Sequence, residues 1–139
     1  MSYRSQSESA LKTYFASKVG VPVYSGTSDQ VKGVPCVVVS YAGATENPPR
    51  TGNMDLTVEV NVQSEIGEEA QPGAMATHDE IVDAIGNAIN WPDLQTLNAT
   101  ETHFHVFDII DQGGIEKDFD GTILRETFTF TIACALGDF

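Results

Sequence analysis

The segment Leu124 to Leu136, LRETFTFTIACAL, constrains the fold more than any other stretch of the chain. Phe128, Phe130, Ile132 and Cys134 share one side of an extended backbone and Thr127, Thr129, Thr131 and Ala133 the other, because successive strand side chains point to opposite faces. Met54 to Val62 alternates in the same way, with Leu56, Val58, Val60 and Val62 on one face and Asp55, Thr57, Glu59 and Asn61 on the other. These two segments are expected to form the spine of one sheet with a single apolar face. The helical pattern around Ala74 to Asn90 is expected to cover that face.

A chain of 139 residues buries roughly two-thirds of its unfolded surface, enough for one core without staples. One domain, residues 1–139, is expected. No apolar run approaches the roughly 20 residues of a membrane helix, so no membrane partner is expected. The N-terminal MSYRSQSESALKTYF lacks the apolar centre of a signal peptide and reads as a helix start, which predicts a chain that stays in the cytoplasm where it is made. Cys36 and Cys134 lie in strand-like runs without CxxC or Cys/His spacing, so both are expected to be buried thiols rather than metal or redox groups. Twenty acidic against seven basic residues leave a net charge of −13. That balance disfavours a groove that grips phosphates, because nucleic-acid affinity rests on Lys and Arg.

Taken in order, Ser5-Gln6-Ser7-Glu8 matches a capping box, predicting a helix from there to about Lys18 with a stripe of Ala10, Leu11, Tyr14, Phe15 and Lys18. Gly20 and Pro22 end it. Val21 to Tyr24 is a short extended piece. Pro35 introduces Cys36 to Tyr41, whose β-branched residues predict a buried strand. The segment Gly43 to Asn53, GATENPPRTGN, is rich in turn formers and reads as a polar hairpin arm, serving either as a contact or as a disordered tip. Glu65, Glu68 and Glu69 precede the next helix and complement its dipole. That helix has a stripe of His78, Val82, Ile85 and Ile89, with Ile81 and Ala88 at its edge, and Trp91-Pro92 is expected to stop it. Thr102 to Asp111 reads as a strand with Phe104, Val106 and Ile110 on one face and His103, His105, Phe107 and Ile109 on the other. Asp111 to Thr122 reads as an acidic loop, and the final strand closes a hairpin with Thr102 to Asp111. The expected fold is therefore α/β of the α+β kind. It is a mainly antiparallel β-sheet of about four to five strands packed by two helices, in the order α-β-β-β-α-β-β.

No residue set argues for catalysis. The chain has no GxSxG, no GxxxxGK[ST] and no HExxH. His103 and His105 share a strand face, but no third and fourth ligand with metal spacing accompanies them. Glu116-x-Asp118-x-Asp120-Gly121 echoes half a calcium loop and fails at its first position, at the bidentate acid and in its flanks. No metal or cofactor is expected.

The order of elements and the local sequence resemble the tail terminator (tail-completion) proteins of long-tailed bacteriophages. The resemblance covers most of the chain. It runs through Gly20-Val21-Pro22-Val23-Tyr24, Val34-Pro35-Cys36-Val37-Val38-Val39, the arm, the strand Met54 to Val62, His78 to Ile85, and Arg125-Glu126-Thr127-Phe128-Thr129-Phe130. What it implies is a structural virion protein rather than an enzyme. Such a subunit forms a homohexameric ring that caps the tail tube near the head–tail junction, ends tube polymerisation and meets the head connector. Its implied partners are further copies of itself, the tube protein, a connector or neck protein and, in contractile tails, the sheath; DNA passes through without specific binding. By analogy, inter-subunit or tube contacts come from Asn47, Pro48, Pro49, Arg50 and Thr51 of the arm and from Glu116, Lys117, Asp118, Phe119 and Asp120 of the loop. Another neck or connector ring, a small monomeric ligand-binding module, and a small hydrolase whose residues are not linked in sequence are the competing readings.

Overall fold

The computed structural model describes residues 3–26, 33–46, 53–67, 70, 72–100 and 104–136. Among them, five strands form one sheet: β1 (Val23–Ser25), β2 (Cys36–Glu46), β3 (Asn53–Glu65), β4 (Phe104–Phe119) and β5 (Ile123–Leu136). The spatial order is β1-β2-β3-β5-β4. Only β1 and β2 run parallel. The two alternating segments are indeed neighbours: Leu56 stands opposite Ile132, Val58 opposite Phe130 and Val60 opposite Phe128, all on one face. Those six residues belong to a single core cluster with side chains of all three helices. The α+β class and the antiparallel spine are as the alternation predicts.

The first helix, α1 (Tyr3–Ala16), begins ahead of the expected capping box. Ser7 and Glu8 lie inside it and are buried, and Glu8 serves a different backbone: its Oε2 accepts the Tyr41 amide at 2.8 Å. That amide adjoins the register shift between Tyr41 and Gly43, where β2 departs from regular pairing with β3. A partly buried donor beside a bulge is thus met by the carboxylate. The predicted stripe is otherwise present, with Ala10, Leu11, Tyr14 and Phe15 buried and the Lys18 ammonium 5.3 Å from the centre of the Tyr14 ring. Replacing Glu8 by alanine removes this link between α1 and β2, an expected cost of about 1 kcal/mol in urea denaturation.

The second helix, α2 (Ala74–Ala88), buries His78, Ile81, Ile85 and Ala88. The predicted stripe is rotated slightly, because Ile81 and Ala88 are central while Val82 is half-buried. Trp91-Pro92 does not end the helical region; it opens a third helix, α3 (Trp91–Thr100). Asn90 is its cap, with Oδ1 accepting the Asp93 amide at 2.9 Å and Nδ2 donating to Asp93 Oδ2 at 3.0 Å. Proline is harmless there, since amides in a helix's first turn have no intrahelical acceptor. Leu94 and Leu97 of α3 enter the core. Two links fasten the helices to their surroundings: Tyr14 Oη donates to the Ala88 carbonyl at 2.6 Å, and the Asn98 side chain exchanges two bonds with the backbone of Val106 at 2.7 and 2.9 Å. Burial pushes the Tyr14 hydroxyl far above the ordinary tyrosine range, with Asp93 adding to the shift.

Parts of both expected loops are strand. β2 continues through Gly43 to Glu46, so the arm shrinks to residues outside the described ones plus Asn53, which begins β3. Asp111 to Phe119 belongs to β4, and only Asp120, Gly121 and Thr122 separate it from β5. Turn-forming composition misleads here because β4 is an edge strand, where one side of the ladder makes no demands. Irregularities between Val106 and Asp108, Ile109 and Asp111, and Gln112 and Ile115 also break its alternation. As a result Ile109, not Ile110, packs toward the core opposite Ile132. Ile110 and Phe107 are exposed.

Candidate functional site

Of the predicted contact residues, Asn47, Pro48, Pro49, Arg50 and Thr51 lie outside the described residues, as does His103. Glu116, Lys117, Asp118, Phe119 and Asp120 are all exposed and lie together along the outer end of the β4–β5 hairpin. The register puts the described ends of β2 and β3, Glu46 and Asn53, at the opposite end of the sheet from this hairpin. Glu46 and Met54 are paired where β2 and β3 meet the end of β5 near Ala135, while Phe119 pairs with Leu124 at its beginning.

Asp120 shapes the hairpin turn. Its Oδ1 accepts the amides of Thr122 at 2.9 Å and Ile123 at 2.8 Å, and its Oδ2 takes Arg125 Nη1 at 3.1 Å. Gly121 follows at φ 95°, a left-handed conformation natural to glycine. The Ile123 and Thr122 amides, then Arg125, draw the Asp120 carboxyl down to about 2 from an ordinary 3.8. The folded value lies below the unfolded one, so the turn's contribution is complete above about pH 4 and fades as pH falls through about 2. An NMR titration of the Thr122 and Ile123 amides is expected to show a midpoint near 2; a midpoint near 4 would mean that the carboxylate does not hold the turn. These carboxylates are engaged in a strand and its turn, not in a calcium loop.

Around this hairpin the sheet is unevenly covered. Ile115, Lys117 and Phe119 stand opposite Phe128, Glu126 and Leu124, so they share the face on which the helices pack. Ile115 is nevertheless 53% exposed and Phe119 51%. The other face carries hydrogen-bonded polar side chains over β3 and β5. Thr57 and Thr131 share a bond of 3.1 Å, Asn61 Nδ2 donates to Thr127 Oγ1 at 2.6 Å, and Gln63 Nε2 donates to Asn61 Oδ1 at 2.7 Å. Asp55 and Glu59 of β3 lie on that face too. His105 of β4 stands opposite Ala135 there, with its ring 5.0 Å from that of Phe107.

His78 faces the opposite side of the sheet, so the two described histidines do not converge. Among the described residues no group of three His, Cys, Asp or Glu side chains is placed to hold a metal. Cys36 and Cys134 are free and buried, and burial pushes the Cys134 thiol up to about 12, with Asp55 adding to the shift.

His78 instead belongs to a polar cluster that sequence patterns do not disclose. Ser64 on β3 and Glu126 on β5 are diagonal neighbours on the helix-covered face. α2 lays His78, fully buried, across them. Nδ1 lies 2.8 Å from Ser64 Oγ and Nε2 3.1 Å from Glu126 Oε1. A carboxylate only accepts, so Nε2 donates to Glu126, and in the neutral ring Nδ1 is then the acceptor for the Ser64 hydroxyl. The serine, at 3% exposure, also lines a cavity of about 240 Å³ with Val34, Pro35, Glu65, Pro72, Ala74 and Thr77. Fourteen and 48 positions separate His78 from its partners, too far for any local spacing to signal the cluster.

No helix among the described residues is long and apolar enough to cross a membrane. No protein-family profile matches the chain, and no curated protein matches it significantly.

Proposed function

We propose that the chain is a structural subunit that assembles into a homohexameric ring, caps the end of a phage tail tube, ends its polymerisation and joins it to the head connector. The observation that carries the assembly is the outer half of β4. Ile115 and Phe119 project, half exposed, on either side of the exposed Lys117, from the face of the sheet on which the core lies. An apolar pair at an uncovered sheet margin marks contact with another chain. The resemblance in element order supplies the tail terminator role. The net charge of −13 per subunit fits a lumen through which DNA moves without adhering, since like charge opposes binding.

Native mass spectrometry of the purified chain tests the proposal. Six times the 15.0 kDa subunit mass is expected, together with binding to tube ends. A stable monomer that does not bind tubes would refute it, and a different ring number would favour another neck component. Phe119→Asp is expected to leave the circular dichroism spectrum unchanged, because Phe119 is outside the core cluster. The same change should abolish the ring by placing charge in an apolar contact. Rings that persist in this variant would remove the hairpin from the interface.

A further inference from the structure

We infer that Ser64, His78 and Glu126 form a nucleophilic relay that cleaves small, uncharged acyl esters in the cavity beside Ser64. The inference does not depend on ring assembly.

The polarity of the cluster is that of an activated serine. With the ring neutral, the hydroxyl 2.8 Å from Nδ1 donates to an imidazole whose Nε2–H is held by a carboxylate, so the ring can accept the serine proton while Glu126 opposes the resulting charge. The two ring nitrogens exchange the positions they occupy in serine proteases, but the direction of proton flow is the same.

α2 contributes a second element. It begins at Ala74, which lines the cavity one helical turn before His78. Gly73 offers no side-chain cap, and the Thr77 amide donates to the Gly73 carbonyl at 3.0 Å. The amides of Ala74, Met75 and Ala76 therefore have no acceptor within the helix and lie at its positive end. Donors so placed suit the oxyanion of a tetrahedral intermediate.

In the reaction, Ser64 Oγ bonds to the ester carbonyl carbon as its proton passes to His78 Nδ1. The carbon–alkoxy bond then breaks and the alcohol leaves with that proton. Water, deprotonated by His78, adds to the acyl-serine, and the carboxylic acid departs as Ser64 regains its hydrogen. Water is the only co-reactant. The small cavity, its apolar Val34, Pro35 and Pro72 walls, and Glu65 at its margin select short neutral acyl groups over anionic ones.

The test treats the full chain with a fluorophosphonate, in which Ser64 Oγ displaces fluoride at phosphorus, and maps the adduct by peptide mass. A single adduct on Ser64 is expected, together with hydrolysis of p-nitrophenyl acetate that is lost in S64A. Glu126→Gln should slow labelling by about 10²-fold or more, the size of a general-base contribution. Glu65→Gln should raise the rate on a carboxylate-bearing ester relative to p-nitrophenyl acetate. Absence of an adduct on Ser64 of the folded wild-type chain, or ester hydrolysis unchanged in S64A, would overturn the inference. Labelling that proceeds equally fast in a folded E126Q would overturn the relay. The wild-type adduct decides alone if a variant fails to fold.

Discussion

Phe130→Ala is expected to destabilise the chain by about 3–5 kcal/mol, near the upper end for a single core truncation. Phe130 is 1% exposed. It sits on β5 opposite Val58, at the middle of the β3–β5 ladder, and its ring meets that of Phe15 edge-on at 6.3 Å between centroids. Phe15 in turn packs edge-on against Tyr14 at 5.0 Å, and Tyr14 Oη reaches the end of α2. The removed ring thus leaves a cavity where sheet, α1 and, through Tyr14, α2 converge. Few neighbours can collapse into it, because strands on both sides fix the backbone. Equilibrium urea unfolding measures the loss. A cost below about 1 kcal/mol would place Phe130 outside the core.

His78→Leu carries the second large effect, roughly 2–4 kcal/mol, although leucine is similar in bulk and more apolar. The loss arises from what the substitution leaves behind. Ser64 and Glu126 each lose a partner on a face largely closed to water, and an orphaned buried polar group costs more than its hydrogen bond contributes. Glu126, with its side chain 14% exposed, recovers part of its solvation; Ser64, 3% exposed, recovers less. The triple replacement of Ser64, His78 and Glu126 by apolar residues should be milder than His78→Leu alone, since it leaves no orphan. Thermal unfolding of the two variants distinguishes this account from simple loss of packing, which would make the triple replacement worse.

How much was legible in the sequence depended on whether neighbours disturbed a period. β3 and β5 were plain because each alternates without interruption between a covered face and a polar one, and such strands pair in register with each other. β4 was half legible. Its bulges exchange the roles of Ile109 and Ile110, and its outer half reads as loop because an edge strand accommodates glycine and charge. α3 was hidden by Pro92, a stop signal inside a helix but compatible with a first turn capped by Asn90. The capping box at Ser5 to Glu8 was a genuine local pattern, overridden by a backbone amide from β2 that could not be known from α1. Glu116 to Asp120 lie together, exposed, on one hairpin because they are contiguous in sequence. The Ser64–His78–Glu126 cluster was invisible, since its geometry exists only once α2 lies across β3 and β5.

The two margins of the sheet are unequal. On one side β1 offers three residues; on the other β4 offers sixteen, with Asn98 already occupying the amide and carbonyl of Val106. Among the described residues, no margin on the far side of a neighbour's sheet matches β4 in length. Long backbone pairing between described margins is then that of β4 with β4, a two-fold event that consumes both. This asymmetry guards against endless strand-by-strand growth. In the proposed ring of six, contacts then rest on side chains such as Ile115 and Phe119, so outward-facing amides in the outer half of β4 are expected to go on exchanging with solvent deuterium after assembly.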